Sequence, residues 1–354
     1  MTMHVLSVAF PFAPIRADTA GGAEQILLEL DRALVEAGHE SVVVAPTGSR
    51  VRGHLIPIAA VEGEWNDAAR TRQHCRVREA IAAVLAHRPF DLVHCHGLDF
   101  DAYLPPPDVP VLATLHLPLA RYPPAALRPT RPLTHLLAVS RAQYRNAPPD
   151  VPLLPPIANG VAANPFAGRV RKCDFALALA RTCPENGLED AVRATRAADI
   201  DLMIAGTLLP WPAHLAYFSH VLEPLLDARH RLVGAMVGPR KQKLLAAARC
   251  VLIPSRAPET SSLVAMEALA AGTPVIAYAN GALANVIEDG VTGWLVHDVA
   301  GMAAAIERVD SIDPRACVRA ARERCGLARM LDGYLALYAR LIALPRGSLA
   351  GAAA

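Results

Sequence analysis

The chain has 354 residues, more than a single hydrophobic core usually organises, so two domains of ordinary size are expected. Hydrophobic residues make up 53% and aromatics 5%, which excludes disorder and favours α/β layers filled by Ala, Val, Leu and Ile over an all-β sandwich. The 35 basic and 33 acidic residues leave a formal charge of +2, without the basic stripe of a nucleic-acid binder, and seven scattered cysteines with no C-x-x-C pair argue against a disulfide framework or a zinc ribbon.

The N-terminus enters a strand pattern directly after Met3 with no signal-peptide signature, and no apolar run reaches spanning length. A cytoplasmic location without integral membrane contact is therefore expected. The opening reads as a βαβ unit: a strand from His4 to Phe10, a loop ending in Gly21-Gly22, a helix through Ile26, Leu27, Leu30 and Leu34 that Gly38 stops, and a strand from Ser41 to Ala45. The basic run Arg70, Arg72, Arg76 and Arg78 reads as a solvated helix face. Further strands are predicted at Asp91 to Cys95, Val111 to Leu115 and His135 to Ser140. The histidines His94 and His96 flanking Cys95 read as structural or acceptor-side groups and not as metal ligands.

Five prolines between Ala147 and Pro156, then Asn159-Gly160 and the charged patch Arg169 to Lys172, mark the domain boundary. The expected division is a first Rossmann-like domain over 1–156, a linker over 157–172, a second Rossmann-like domain over 173–330, and a helix with a frayed Ala-rich tail over 331–354. Beyond the linker the alternation restarts with strands at Phe175 to Ala180, Asp201 to Ala205 and Cys250 to Pro254, and helices from Gly187 to Ala198 and Lys241 to Arg249. Two successive open parallel sheets place their ligand sites at strand carboxyl ends, and a two-domain enzyme with those edges facing across a cleft is the expectation. The residues up to Asp150 carry 14 Arg against 15 acids and the rest 21 Lys+Arg against 18, so the mildly positive part comes second and suits a small anion.

The stretch from Cys250 to Ala277 holds the densest chemistry: a strand ending at Pro254, a loop with Glu259, Ser261 or Ser262 as a helix cap, and Gly272 and Pro274 closing the helix. Amides near Ser262 and Leu263 at a helix N-terminus make an anion site. Glu259 and Glu267, eight residues apart, are too widely spaced for the carboxyl pair of a retaining glycosidase at about 5–5.5 Å, and suit hydroxyl binding on either side of a diphosphate. Glu267 lies between Met266, Ala268 and Leu269 in a nearly uncharged helix, so it needs a partner.

This pattern resembles family 4 of the retaining glycosyltransferases, whose signature is Glu, seven residues, Glu, within P-S-x-x-x-E … E-A-x-A-x-G-x-P-V. The likeness continues through Asn280-Gly281 and the turn Asp289 to Gly293, and more weakly through Gly21-Gly22-Ala23-Glu24, Thr114-Leu115-His116, Val139-Ser140, Asn159-Gly160-Val161 and Leu202 to Gly206. The resemblance implies a GT-B fold and a nucleotide-sugar donor such as a UDP- or GDP-sugar, with no cofactor; no metal is expected, because no D-x-D pair stands in a donor-side loop while Arg181 and a helix N-terminus can stabilise a diphosphate. It implies that Glu259 approaches the transferred sugar, Glu267 binds the ribose and His116 contacts the sugar from the first domain, with Gly21, Gly22 and Gly206 on the donor. The family's R-x-x-x-x-K-G appears as Arg181 to Gly187 with Asn186 in the lysine's place, and its Phe-Gly after the first Glu is Ser261-Ser262. Arg256 is the nearest candidate for the missing cation. The acceptor, expected to be small and soluble, falls near His96, Asp99, Asp101 and the loop Leu117 to Pro124. A dinucleotide-dependent dehydrogenase is disfavoured because the loop PFAPIRADTAGG lacks G-x-G-x-x-G spacing. A non-hydrolysing sugar-nucleotide epimerase and an inactive nucleotide-sugar-binding relative are the alternatives.

Overall fold

The computed structural model describes residues 2–19, 21–60 and 66–344, so the Ala-rich tail from Leu349 lies outside the described residues. The chain divides into two compact units, one formed by the residues up to Ala158 together with those from Met330 onward, the other by Asn159–Arg329.

The first unit holds seven strands: β1 (His4–Val8), β2 (Glu40–Pro46), β3 (His54–Ile58), β4 (Leu92–Cys95), β5 (Val111–Leu115), β6 (Thr134–Ala138) and β7 (Leu153–Leu154). They form one parallel sheet in the order β3-β2-β1-β4-β5-β6-β7. The sequence pattern did not reveal β3. It is an edge strand with Pro57, whose missing N–H an edge tolerates. Strands buried on both faces read as continuous apolar runs, and Val111–Leu115 is buried at every residue. Leu6, Val93, Ala113 and Leu136 join one face of this core. The helix Leu327–Ile342 contributes Tyr334 and Tyr338 to the same unit, both fully buried.

The second unit holds β8 (Phe175–Leu179), β9 (Asp201–Ala205), β10 (His230–Leu232), β11 (Cys250–Ile253), β12 (Val275–Tyr278) and β13 (Gly293–Val296). Again all pairings are parallel, in the order β10-β9-β8-β11-β12-β13. Both sheets thus follow the doubly wound strand order, with switch points between β1 and β4 and between β8 and β11. Gly206 lets the segment leaving β9 pass the Ala180 carbonyl, which a Cβ there would meet at 1.7 Å. Among the described residues no helix is long and apolar enough to cross a membrane.

Candidate functional site

In the first unit the switch point is furnished by the loops leaving β1 and β4. Gly21 is the N-cap residue of the helix Gly22–Glu36, with extended backbone and no side-chain cap. His94 on β4 is buried and satisfied, one ring nitrogen 2.7 Å from the Tyr338 hydroxyl and the other 2.7 Å from Thr114 Oγ1. It is structural, as one of the two sequence readings had it. His96, just beyond β4, is nearly inaccessible, and its Nδ1 lies 3.0 Å from Nε2 of His116, just beyond β5. The rings of His96 and His116 stack with centroids 5.2 Å apart. His96 Nε2 is buried with no partner among the described residues. Burial lowers the pKa of His96 and of His116, so both imidazoles are neutral near pH 7.

Next to this pair, Asp99 is buried and held between His74 and the Tyr103 hydroxyl, 3.1 Å away. It borders a cavity of about 580 Å³ lined by Arg70, His74, Asp99, Asp101 and Arg121 among others. Burial raises the Asp101 pKa. The loop residues Tyr122 and Pro123 also line it, which is the region where the sequence placed the acceptor. Arg70, read from sequence as one member of a solvated run, faces this cavity.

In the second unit the loop leaving β8 and the loop leaving β11 are joined by backbone. Both Arg256 and Ala257 direct N–H groups at the Glu185 carbonyl, at 2.8 and 3.3 Å. Gly187 is left-handed and so close to the Pro254 carbonyl that a Cβ would sit 2.4 Å from it. Arg181 consequently acts on Glu259 across 78 residues of sequence: burial raises the Glu259 pKa, while a hydrogen bond with Ser255 and the Arg181 charge pull it back. The backbone of Glu259 is itself held by Gly281, whose missing Cβ leaves room for the Glu259 carbonyl, and Ala282 N–H donates to that carbonyl at 2.8 Å. Asn280 donates through Nδ2 to the Arg256 carbonyl at 2.9 Å. These contacts give the Asn280-Gly281 pair a physical role.

The helix Leu263–Ala270 begins at Ser262, and here the capping expectation is corrected. Ser262 occupies the N-cap position in left-handed backbone, φ 57°, and makes no side-chain cap bond. With φ positive, its hydroxyl is not aimed at the first-turn amides as an extended N-cap aims it. Ser261 Oγ instead accepts from Asn159 Nδ2 at 2.9 Å. Leu263 starts the helix and is half-buried.

Glu267 has the partner its burial demands: Lys241 Nζ lies 2.6 Å from its Oε1, and both side chains are largely buried. Sequence reasoning missed Lys241 as the partner of Glu267. The only signal was its place in the basic run Arg240, Lys241 and Lys243 at a helix start. Arg256, by contrast, is corrected as the substitute cation, because Glu189 at 2.7 Å and Asp190 at 3.0 Å already neutralise it. Asn186 turns its amide back to the Arg181 carbonyl at 2.8 Å, bracing the loop that carries Arg181.

Two family models match. "Glycosyltransferase Family 4" covers residues 20–148 and "Glycosyl transferases group 1" covers residues 183–310, together more than half of the chain. The phosphatidyl-myo-inositol mannosyltransferase of Mycolicibacterium smegmatis is 28% identical over 333 residues, 83% of this chain and 82% of that protein. The D-inositol 3-phosphate glycosyltransferase of the same organism is 42% identical over 99 residues, 27% of this chain and only 23% of that protein's length. Among solved structures, Anabaena HepE in complex with UDP-glucose superposes with a TM-score of 0.73 at 17% identity, covering 96% of this chain and 100% of that one, a likeness of fold.

Proposed function

Because the chain belongs to the family 4 glycosyltransferases of GT-B fold, we propose that it transfers a sugar, with retention and with no metal in the reaction, from a nucleotide-diphosphate sugar to a small hydroxylated acceptor. The observation that carries the reading is that the loop leaving β8, with Arg181, and the loop leaving β11, with Glu259, are joined by backbone hydrogen bonds at the switch point of the second sheet. An arginine beside a carboxylate and the amides of a helix start form a place where phosphate charge is stabilised next to a hydroxyl-binding group. Lys241 is committed to Glu267, so Arg181 and the amides of the helix start are the groups left to balance a diphosphate without a divalent ion. Glu267 keeps acceptor capacity for ribose hydroxyls after pairing with one ammonium, since a carboxylate offers about four lone-pair sites.

In the first unit His116, held neutral, suits a hydrogen bond to an uncharged sugar hydroxyl, and the carboxylates of Asp99 and Asp101 suit a hydroxylated acceptor in the adjoining cavity. Anabaena HepE is a protein crystallised with UDP-glucose, which makes UDP-sugars the first donors to try.

A thermal-shift screen of UDP-, GDP- and ADP-sugars identifies the donor, since a ligand bound only to the folded state raises its stability. With that donor, Glu267→Ala is expected to raise donor KM, whereas Glu259→Ala lowers kcat because its partner is the reacting sugar. Equal and negligible effects of the two changes overturn the reading. Proton NMR of the first product tests retention. Chelator-treated enzyme whose activity depends on added Mg²⁺ contradicts metal independence.

A further inference from the structure

Beside the donor loop lies a group of side chains that the transfer chemistry does not use. Cys183 follows Thr182 in the loop leaving β8, Glu185 lies two residues on, and His214 comes from the helix Pro212–Tyr217 that follows β9. A thiol sulfur, a carboxylate oxygen and an imidazole nitrogen from these three residues all lie within 4.8 Å of one another. Cys183 and His214 are buried, at 2% and 6% exposure, while Glu185 stands at the surface and hydrogen-bonds the Cys183 thiol. His214 Nδ1 is buried with no partner among the described residues, and the ring packs against Trp211 with centroids 4.8 Å apart. A buried imidazole nitrogen left without a partner carries a desolvation penalty that a ligand can relieve.

We propose that Cys183, Glu185 and His214 form a binding site for a soft divalent cation of the zinc class. Sulfur, nitrogen and one carboxylate oxygen are the donor set that zinc accepts, at about 2.0–2.3 Å each, and one that magnesium and calcium do not select. Donors on a tetrahedral ion sit roughly 3.5 Å apart, so the three groups close on an ion by small side-chain rotations, chiefly of the exposed Glu185. Binding releases the thiol proton to solvent, and the fourth position is left to water. Such an ion ties the β8 loop, which carries Arg181, to the helix after β9. It plays no part in the transfer step, and the inference stands whether or not the donor assignment does.

The test uses the whole chain, reduced and stripped by chelator, titrated with Zn²⁺ against a chromophoric competitor, and with Co²⁺ as an optical stand-in. The wild-type protein should take up one equivalent that Cys183→Ser and His214→Gln each weaken at least tenfold. Its Co²⁺ form should show a sulfur-to-cobalt charge-transfer band that Cys183→Ser abolishes. At the same Zn²⁺ concentration the Tm of the wild-type protein should rise more than that of either variant. Should Cys183→Ser fail to fold, the surface substitution Glu185→Gln carries the test, again with at least a tenfold loss. A charge-transfer band that survives Cys183→Ser, or zinc affinity equal in the wild-type and variant proteins, overturns the proposal by assigning the metal to another of the seven cysteines.

Discussion

At the switch point of the first sheet stand three imidazoles, His94, His96 and His116, that burial has stripped of charge. At the switch point of the second, carboxylates are matched with cations: Glu267 with Lys241, Glu189 and Asp190 with Arg256, and Glu259 within the field of Arg181. The strand order is the same in both. The same strand order therefore carries two electrostatically different edges, one of neutral imidazoles and one of paired charges, and a few residues set the difference.

The sharpest way to break this comparison is to remove the charge at the second edge. Arg181→Ala should cost about 2–4 kcal/mol in kcat/KM, roughly 30- to 1,000-fold, on the scale of one preorganised oxyanion donor. Steady-state kinetics at parental kcat/KM would sink the donor-site assignment.

Arg256→Ala separates charge used for binding from charge used for structure. It removes the shared guanidinium from the nearly inaccessible Glu189 and Asp190, which keep Tyr217 on the one and Arg193 and Tyr278 on the other. Because Arg256 itself is half-exposed, the loss should be about 1–3 kcal/mol of folding stability, below the full cost of breaking a buried pair. Chemical denaturation measures it, and donor affinity at low temperature should change little.

Protonation sharpens the contrast because the two edges respond with opposite sign. The folded pKa of His116 is depressed, to about 3, so its stabilising contribution is complete above its unfolded value near 6.5 and is lost as pH falls toward 3. Glu259 is raised, so its contribution is complete below its unfolded value near 4.5 and is lost as pH rises through the folded one. Lowering the pH from 7 to 5 should destabilise the wild-type protein, and His116→Gln should flatten that slope by at most about 1.4 kcal/mol per pH unit. A slope unchanged by His116→Gln would show that His116 is not held neutral.

The smallest effect is expected at Ser262. Its left-handed backbone costs roughly 1–2 kcal/mol, against about 0.5–1 kcal/mol of chain entropy that glycine adds to the unfolded state. Ser262→Gly should thus stabilise by about 0.5 kcal/mol, read as a Tm rise of a degree or two. A lowered Tm would mean that the serine hydroxyl contributes there.

What was legible in the sequence was whatever local spacing encodes. The run from Cys250 to Ala277 announces its strand, loop and helix, because a turn, two punctuating residues and an apolar period lie within one window. Lys241 was not legible, since it lies 26 residues from Glu267 and on a different helix. Arg256 was misread for the same reason, its acids lying on the helix Leu188–Ala197. The left-handed turn at Ser262 leaves no mark in residue type, because serine there gives no sign of positive φ. The alternation of short apolar runs reveals strands, but β3, with a proline and a half-exposed edge, falls beneath that signal.

Tyr338 and Tyr334, packed on His94 and Thr114, also bear on how the protein is made. The first unit is discontinuous, so its sheet leaves the ribosome without the helix that covers this part of it. The 171 residues of Asn159–Arg329 must be translated in between, which takes roughly 10–35 s at about 5–20 residues per second. For that interval His94, inaccessible in the finished molecule, lacks its tyrosine cover. A nascent chain stalled before Met330 should therefore present this part of the sheet to chaperones and proteases, while the second unit, continuous in sequence, can complete itself as it emerges.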